Sequence, residues 1–338
     1  MIPSTGNRKP VVELSGLNIG YLSGSPVAEQ IDCTLNHGEM VALVGRNGSG
    51  KSTLIRTLAG LLEPLSGAYH LNSVTFGSFS VIQRARMISF VAPIDIQVPN
   101  LTLSELVSLG RHPYTNWLGR IDDNDRDIIN SVLEWVKLKG YEEHRYYQLS
   151  DGEKQRAMIA RALAQDTPLI LLDEPTAFLD ISNKYELIKL LDELKRKNKT
   201  ILYSTHDLET AWLWADKFWV IHEKRLIEGA PEDLGLSGIY DHLFEDTDLT
   251  FNLDAQRFEM KKPVRREVFL ESGTSKAHYW TSSAFRRAGI KTVSGEKSSV
   301  RIDIQSEEDT TLWKVREPHE EKVFDSIYNL ISYLTSSE

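Results

Sequence analysis

Residues 45–53 read GRNGSGKST, and the spacing G-x-x-x-x-G-K-[ST] runs from Gly45 to Ser52. An apolar run, Met40 to Val44, precedes the stretch, and a helical pattern, Ser52 to Leu62, follows it. A phosphate-binding loop needs a strand to deliver it and a helix N-terminus to receive the anion. Gly48 and Gly50 carry no Cβ, so backbone N–H groups can curl around a phosphate there. A helix starting near Lys51 adds about half a positive charge at its N-terminus. In this pattern the Lys51 ammonium reaches the β- and γ-phosphates and the Ser52 hydroxyl ligates Mg²⁺. Arg46, Asn47, Ser49 and Thr53 complete the loop and its first helical turn. The bland alternative, a Gly-rich turn that matches by chance, leaves the flanking strand and helix unexplained.

The rest of the chain sets bounds on this reading. It has 338 residues, enough for two domains, with 41% hydrophobic and 26% charged residues, as in ordinary globular proteins. The net charge is −9, so no basic domain of the kind that binds nucleic acid stands out. Cys33 is the single cysteine, which rules out an internal disulfide, fits a reducing compartment and reads as apolar filler. No apolar run approaches the length of a membrane-spanning helix, and MIPSTGNRKP at the start lacks a signal-peptide apolar region. A membrane role therefore requires a partner, not direct insertion.

Strand patterns at residues 11–21 and 39–45 suggest a first β-rich layer around the loop, with another apolar run at 87–92. From Leu101 to Tyr147 the spacing turns helical, with a polar-aromatic loop, GRHPYTNWLGR, at 110–120. A helix is expected over 151–165, and Leu169–Leu172 and Thr200–Ser204 read as strands buried on both faces. Leu187, Leu190, Leu191 and Leu194 mark an amphipathic helix, and Phe218–Ile221 with Arg225–Glu228 a hairpin. Strands alternating with helices indicate an α/β fold. Composition changes near 245, which divides the chain into 1–244 and a small α+β tail, 245–338. In the tail, strands are expected near 266–271, 299–305 and 311–316, and helices near 277–288 and 321–335.

Further chemistry appears in PLILLDEP at 168–175. Its strand places Asp173 beside the metal and Glu174 where it can take a proton from an attacking water. A mere turn before Pro175 is the alternative. In LSDGEKQR (149–156), Ser150 and Gly152 open another helix, whose N-terminus offers free N–H groups to a second anion. One chain already has its phosphate loop elsewhere, so this second site points to the nucleotide of a partner copy.

Together these segments resemble an ATP-binding cassette (ABC) ATPase over about residues 10–244. GRNGSGKST is similar to the Walker A segment, LILLDE to Walker B, and LSDGE to the signature loop usually written LSGGQ. TAFLD (176–180) resembles the D-loop, with Asp180 as its acid, and STHD (204–207) the switch, with His206. Tyr21 stands where an aromatic residue stacks on adenine. Alone, a Tyr or a His would be an ordinary core or hydrogen-bonded residue. The resemblance implies a mixed central sheet, an antiparallel β layer and a helical subdomain. It also implies ATP and Mg²⁺ as cofactors, and a head-to-tail homodimer with each ATP between Walker A of one copy and the signature loop of the other. Lys51, Glu174 and His206 would be catalytic. The nucleotide would contact Tyr21, Gly45 to Thr53, Ser150, Asp151, Gly152, Glu153 and Asp180, with Ser52 and Asp173 serving the metal.

Two segments depart from the family pattern. Pro93 stands where the Q-loop Gln belongs, and Asp95 or Gln97 are the candidate substitutes. Asp151 and Glu153 add carboxylates near a triphosphate, with Lys154 and Arg156 close by to offset them. The stretch 101–120 resembles importer ATPases for iron–siderophore, haem or vitamin B12. Tyr114 and Trp117 either line the groove for a permease helix or pack inside the helical subdomain. The expectation is an importer ATPase on the cytoplasmic face of the membrane, bound to permease subunits and served by a solute-binding protein. The alternatives are an importer ATPase for another small solute, a soluble non-transport cassette, and a nucleotide-binding module with negligible turnover. The tail lies outside the resemblance, and the sequence assigns it no role.

Overall fold

The computed structural model describes residues 9–21, 24–93, 100–115, 120–177, 179–252, 257–271, 275–294, 298–307 and 310–336. Asp95, Gln97 and Trp117 lie outside these described residues. The chain divides into two compact units, Met1–Leu243 with Leu253–Arg257, and Phe244–Asn252 with Phe258–Glu338.

The first unit runs β1 (Pro10–Ile19), β2 (Ala28–Asn36), β3 (Met40–Gly45), α1 (Lys51–Leu58), β4 (Ser66–Leu71), β5 (Val74–Thr75), α2 (Val81–Met87), β6 (Ile88–Val91), α3 (Leu103–Ser108), α4 (Asp123–Trp135), α5 (Asp151–Ala164), β7 (Leu169–Leu172), α6 (Ile181–Arg196), β8 (Thr200–Ser204), α7 (Leu208–Trp214), β9 (Lys217–His222), β10 (Arg225–Gly229), α8 (Pro231–Leu236) and α9 (Ile239–Leu243). Two sheets result. One is antiparallel, ordered β2-β1-β4-β5. The other, ordered β10-β9-β3-β8-β7-β6, is parallel except for β10 at its edge.

Sequence patterning put residues 11–21 and 39–45 in one layer, but the structure separates them. β1 alternates in burial and joins the antiparallel sheet, whereas β3 is buried on both faces and takes the middle of the parallel one. A single apolar cluster joins Leu17, Ile31 and Leu35 of the first sheet, Leu54, Ile55 and Leu58 of α1, and Val41, Leu171, Leu202 and Trp219 of the second. Each such side chain contributes about 1.5–3 kcal/mol by leaving water. Helix α1 stops at Leu58, short of the expected Leu62, because Gly60 adopts φ +73° and Pro64 cannot continue a helix.

The helical region is tied to α5. A Cβ on Gly110 would stand 2.2 Å from the Arg161 carbonyl oxygen, so only glycine permits this approach. Arg111, beside it, is buried and donates to Asp125 at 2.7 Å and to the Ala164 carbonyl at 2.8 Å. The Tyr114 ring lies over the Arg111 guanidinium, 4.2 Å from its centroid, and also near Arg86. Tyr114 rests on these two arginines while staying partly exposed, so both readings offered for it stand.

The second unit contains β11 (Leu249–Asn252), β12 (Arg257–Met260), β13 (Arg266–Leu270), α10 (Lys276–Ala288), β14 (Ile290–Thr292), β15 (Arg301–Glu307), β16 (Thr310–Glu317), β17 (Glu320–Phe324) and α11 (Ile327–Ser336). Its main sheet is ordered β14-β13-β15-β16-β17. Val268, Phe285, Ile302, Trp313, Val315, Leu330 and Leu334 form its core. Thr281, fully buried, accepts from the Trp313 indole N–H at 2.7 Å and donates to the Ala277 carbonyl at 2.7 Å. The helix expected over 321–335 begins only at Ile327. Residues 320–324 instead pair antiparallel with β16, from Glu317↔Glu320 to Trp313↔Phe324. Cross-strand pairing outweighs the helical spacing that Phe324 shares with Ile327 and Ile331. Among the described residues, no helix is long and apolar enough to cross a membrane.

Candidate functional site

The parallel sheet brings the C-terminal ends of β3, β8 and β7 side by side. Such an edge, where loops lead into helices, is where ligands of open α/β sheets bind. Gly45 ends β3, and residues 46–50 turn the chain into α1. Gly50 is the helix N-cap, with φ +106° and no side chain to cap the first turn. The first N–H groups of α1 therefore remain available to an anion. Ser49 Oγ is buried with no hydrogen-bond partner. Lys51 is buried in the first turn, and its ammonium donates to the carbonyls of Gly45 at 2.8 Å and Arg46 at 3.1 Å. Burial lowers the Lys51 pKa, and the charges of Glu174 and Asp173 oppose that shift.

Asp173 and Glu174 follow β7 directly, and the Asp173 N–H donates to Val91 O of β6 at 2.9 Å. Asp173 is 1% exposed, and its Oδ1 accepts from Ser52 Oγ at 3.0 Å and from Ser204 Oγ at 2.7 Å. Its Oδ2 is buried and has no hydrogen-bond partner. Ser204 Oγ also accepts the Glu174 N–H at 2.8 Å, so this one hydroxyl fixes both acids. Glu174 itself has φ +50°, a left-handed backbone that a non-glycine residue seldom adopts. His206, just beyond β8, lies with Nε2 2.6 Å from Glu174 Oε1. Lys51, Ser52, Asp173, Glu174 and His206, distant in sequence, thus form one constellation. Ser204 belongs to it too. Sequence reading placed this residue in the STHD segment and at the end of the Thr200–Ser204 strand but gave it no role.

A second constellation forms on α5 and α6. Ser150 caps α5 in a reciprocal box: its N–H and hydroxyl donate to Glu153 Oε2, each at 2.8 Å, while the Glu153 N–H reaches Ser150 Oγ at 3.4 Å. The bond from the Ser150 N–H leads the causes that hold the Glu153 carboxyl below its usual range. Asp151 is exposed and pairs with Lys154 at 3.5 Å. The two extra carboxylates of this segment are thereby occupied, one in the cap and one in an ion pair. Asp180 caps α6 through the Asn183 N–H at 2.8 Å. Gly152, Asp180, Asn183 and Arg156 lie in one patch. Tyr21 stands just past β1, 51% exposed. Pro93 lies between β6 and the undescribed residues 94–99.

A phosphate loop at the centre of a parallel sheet, with a buried acid and a second carboxylate after β7, one strand removed across β8, defines a P-loop ATPase. Comparison with known proteins narrows the class. Residues 28–177 match the family described as ABC transporter, and residues 265–335 match the Iron ABC transporter C-terminal domain. An uncharacterized ABC transporter ATP-binding protein of Methanocaldococcus jannaschii is 34% identical, over 78% of this chain and 92% of that protein. The achromobactin transport ATP-binding protein of Dickeya dadantii is 38% identical, over 71% and 87%. Among solved structures, an inward-facing transporter described as of metal-chelate type superposes with TM-score 0.59 at 26% identity, over 67% of this chain and 85% of that one. A dimeric bacterial ABC transporter cassette gives TM-score 0.57 at 26% identity, over 65% and 98%. The chain belongs to the ATP-binding family of ABC transporters, proteins that hydrolyse ATP to power transport, and its relatives include proteins described as import ATP-binding proteins. The tail, which the motif resemblance did not reach, matches a domain family of its own.

Proposed function

We propose that this chain energises import of an iron chelate, such as a ferric siderophore. It would act as a homodimer at the cytoplasmic face of a permease that receives its solute from a binding protein. The observation that carries the solute class is the match of residues 265–335 to an iron-transporter C-terminal domain, alongside a cassette whose relatives include achromobactin and iron(3+)-hydroxamate transport proteins.

The geometry supports assigned roles. Lys51 and the α1 N-terminus bind the phosphates, with Gly45, Arg46, Asn47, Gly48, Ser49, Gly50 and Thr53 forming the cradle and Tyr21 stacking on the base. The residues fit Mg²⁺: buried Asp173 Oδ2 lacks a partner while Oδ1 already gathers the Ser52 hydroxyl. Ser52 and Asp173 would hold that ion, which when bound neutralises phosphate charge. Glu174 orients the attacking water and takes its proton, and His206, in contact with Oε1, fixes the carboxylate. Ser150, Asp151, Gly152, Glu153 and Asp180 face the nucleotide of the partner copy.

The test is recovery of the tagged chain from its own host after gentle membrane solubilisation, paired with uptake of labelled ferric chelate. Co-purification of a polytopic permease and a chelate-binding protein, with uptake abolished by Glu174→Gln, is the expected result. A permease that carries another solute would move the reading to an importer of a different class. Recovery without any permease would overturn the transport role.

A further inference from the structure

Asn183 sits in the first turn of α6, three residues after Asp180, and its side chain is engaged from several sides. Its Nδ2 donates to Asp180 Oδ2 at 3.1 Å, and its Oδ1 accepts from Arg156 Nη1 of α5 at 3.1 Å. A Cβ on Gly152 would come within 3.1 Å of the Asn183 amide, so the Gly152 backbone lies directly against it. Arg156 is also held near Glu186 of α6, at 4.0 Å. The amide thus reads Asp180 with one end and the α5 helix with the other.

We infer that Asn183 is a positioning residue that locks Asp180 to the Ser150–Gly152 loop, so that both present themselves to a second copy's nucleotide as one rigid surface. This rests on the proposed reading in which that surface closes on the partner's ATP. Helix capping alone does not need the side chain, because the Asn183 backbone N–H already donates to Asp180 Oδ1 whatever the side chain is. What the amide adds is the bridge to α5. Losing either end removes the hydrogen-bonded link between Asp180 and α5 and leaves the longer Arg156–Glu186 contact as a tie between α5 and α6. An amide is required because it both donates and accepts. An isosteric carboxylate keeps the bond to Arg156 but faces the Asp180 carboxylate with like charge.

The experiment uses the full chain carrying Glu174→Gln, with ATP-driven dimerisation followed by analytical ultracentrifugation and monomer ATP affinity measured separately. Adding Asn183→Ala should raise the ATP concentration needed for dimerisation by about tenfold or more, the ratio set by losing a hydrogen bond to a charged group. Monomer affinity for ATP and the melting temperature should stay near their starting values. Asn183→Asp should show a similar defect, because the introduced carboxylate repels Asp180 and cannot donate to it. Dimerisation of both variants at the ATP concentration of the Glu174→Gln parent would overturn the proposal and leave the cassette reading intact. Equal losses of ATP affinity and melting temperature would mark Asn183 as merely structural and overturn it as well. Failure of the Glu174→Gln parent itself to dimerise with ATP would instead remove the reading on which the proposal stands.

Discussion

The two units of this chain satisfy their polar groups in opposite ways. Among the described residues, the buried side-chain atoms that lack a hydrogen-bond partner, Ser49 Oγ and Asp173 Oδ2 among them, all fall in the cassette unit. The non-glycine residues with positive φ, Glu174 included, fall there too. In the tail, the buried Thr281 hydroxyl both accepts and donates, and charged pairs such as Arg316–Asp303 at 2.6 Å lie towards the surface. Buried polar groups are ordinarily paired. At Ser49, Asp173 and Glu174 the open polar atoms and the strained backbone coincide with the candidate nucleotide site, whereas Thr281 in the tail closes its bonds and serves the shape of its unit.

The contrast can be broken at its sharpest point first. Glu174→Gln should cut turnover by about 10²- to 10⁴-fold while nucleotide binding persists, read by phosphate release and by equilibrium binding. Unchanged hydrolysis would show that the strained residue is not there for chemistry. Next comes the buried pair that fastens the helical region. Asp125→Ala strands the Arg111 charge and should cost the cassette about 3–5 kcal/mol in denaturant unfolding. A loss below about 1 kcal/mol would place that pair among ordinary surface contacts.

Smaller effects sharpen the comparison. Trp313→Phe removes the indole donor to Thr281 and should destabilise the tail by about 1 kcal/mol, with ATP binding by the cassette unaltered. Hydrogen exchange would localise the change, and protection lost throughout both units would contradict it. Last is the cap at Ser150. The carboxyl of Glu153 titrates below its unfolded value, so its contribution is present above the ordinary carboxylate range and fades as pH falls through the lower folded value. Glu153→Gln should remove that acid-side loss, seen as a flatter stability profile between about pH 5 and about pH 3. Identical profiles for parent and variant would remove the cap's electrostatic role.

What the sequence disclosed follows the same divide. β7 and β8 were readable to the residue because four and five consecutive side chains are buried on both faces. The phosphate loop and the acids after β7 were readable because their chemistry demands those residue types at that spacing. β2 was not anticipated: its alternation is interrupted by Gln30, whose φ of +49° marks an irregular pairing with β1. β17 was taken for the start of a helix because its partner strand, not its own pattern, decides it. At the site, the roles of Ser204 and Asn183 escaped notice. A lone hydroxyl or amide carries no spacing signal, and their roles arise only where separate elements meet.

Glu174 holds one further consequence. A left-handed backbone costs an L-residue about 1–2 kcal/mol, a cost that glycine escapes and asparagine feels less. For thermal endurance alone, glutamate is therefore a poor choice at this position. A laboratory selection that rewards heat resistance without asking for turnover should drift there towards glycine or asparagine. It would yield sturdier, idle cassettes, and the position where such lineages first lose activity would mark where fitness for work and fitness for persistence part company.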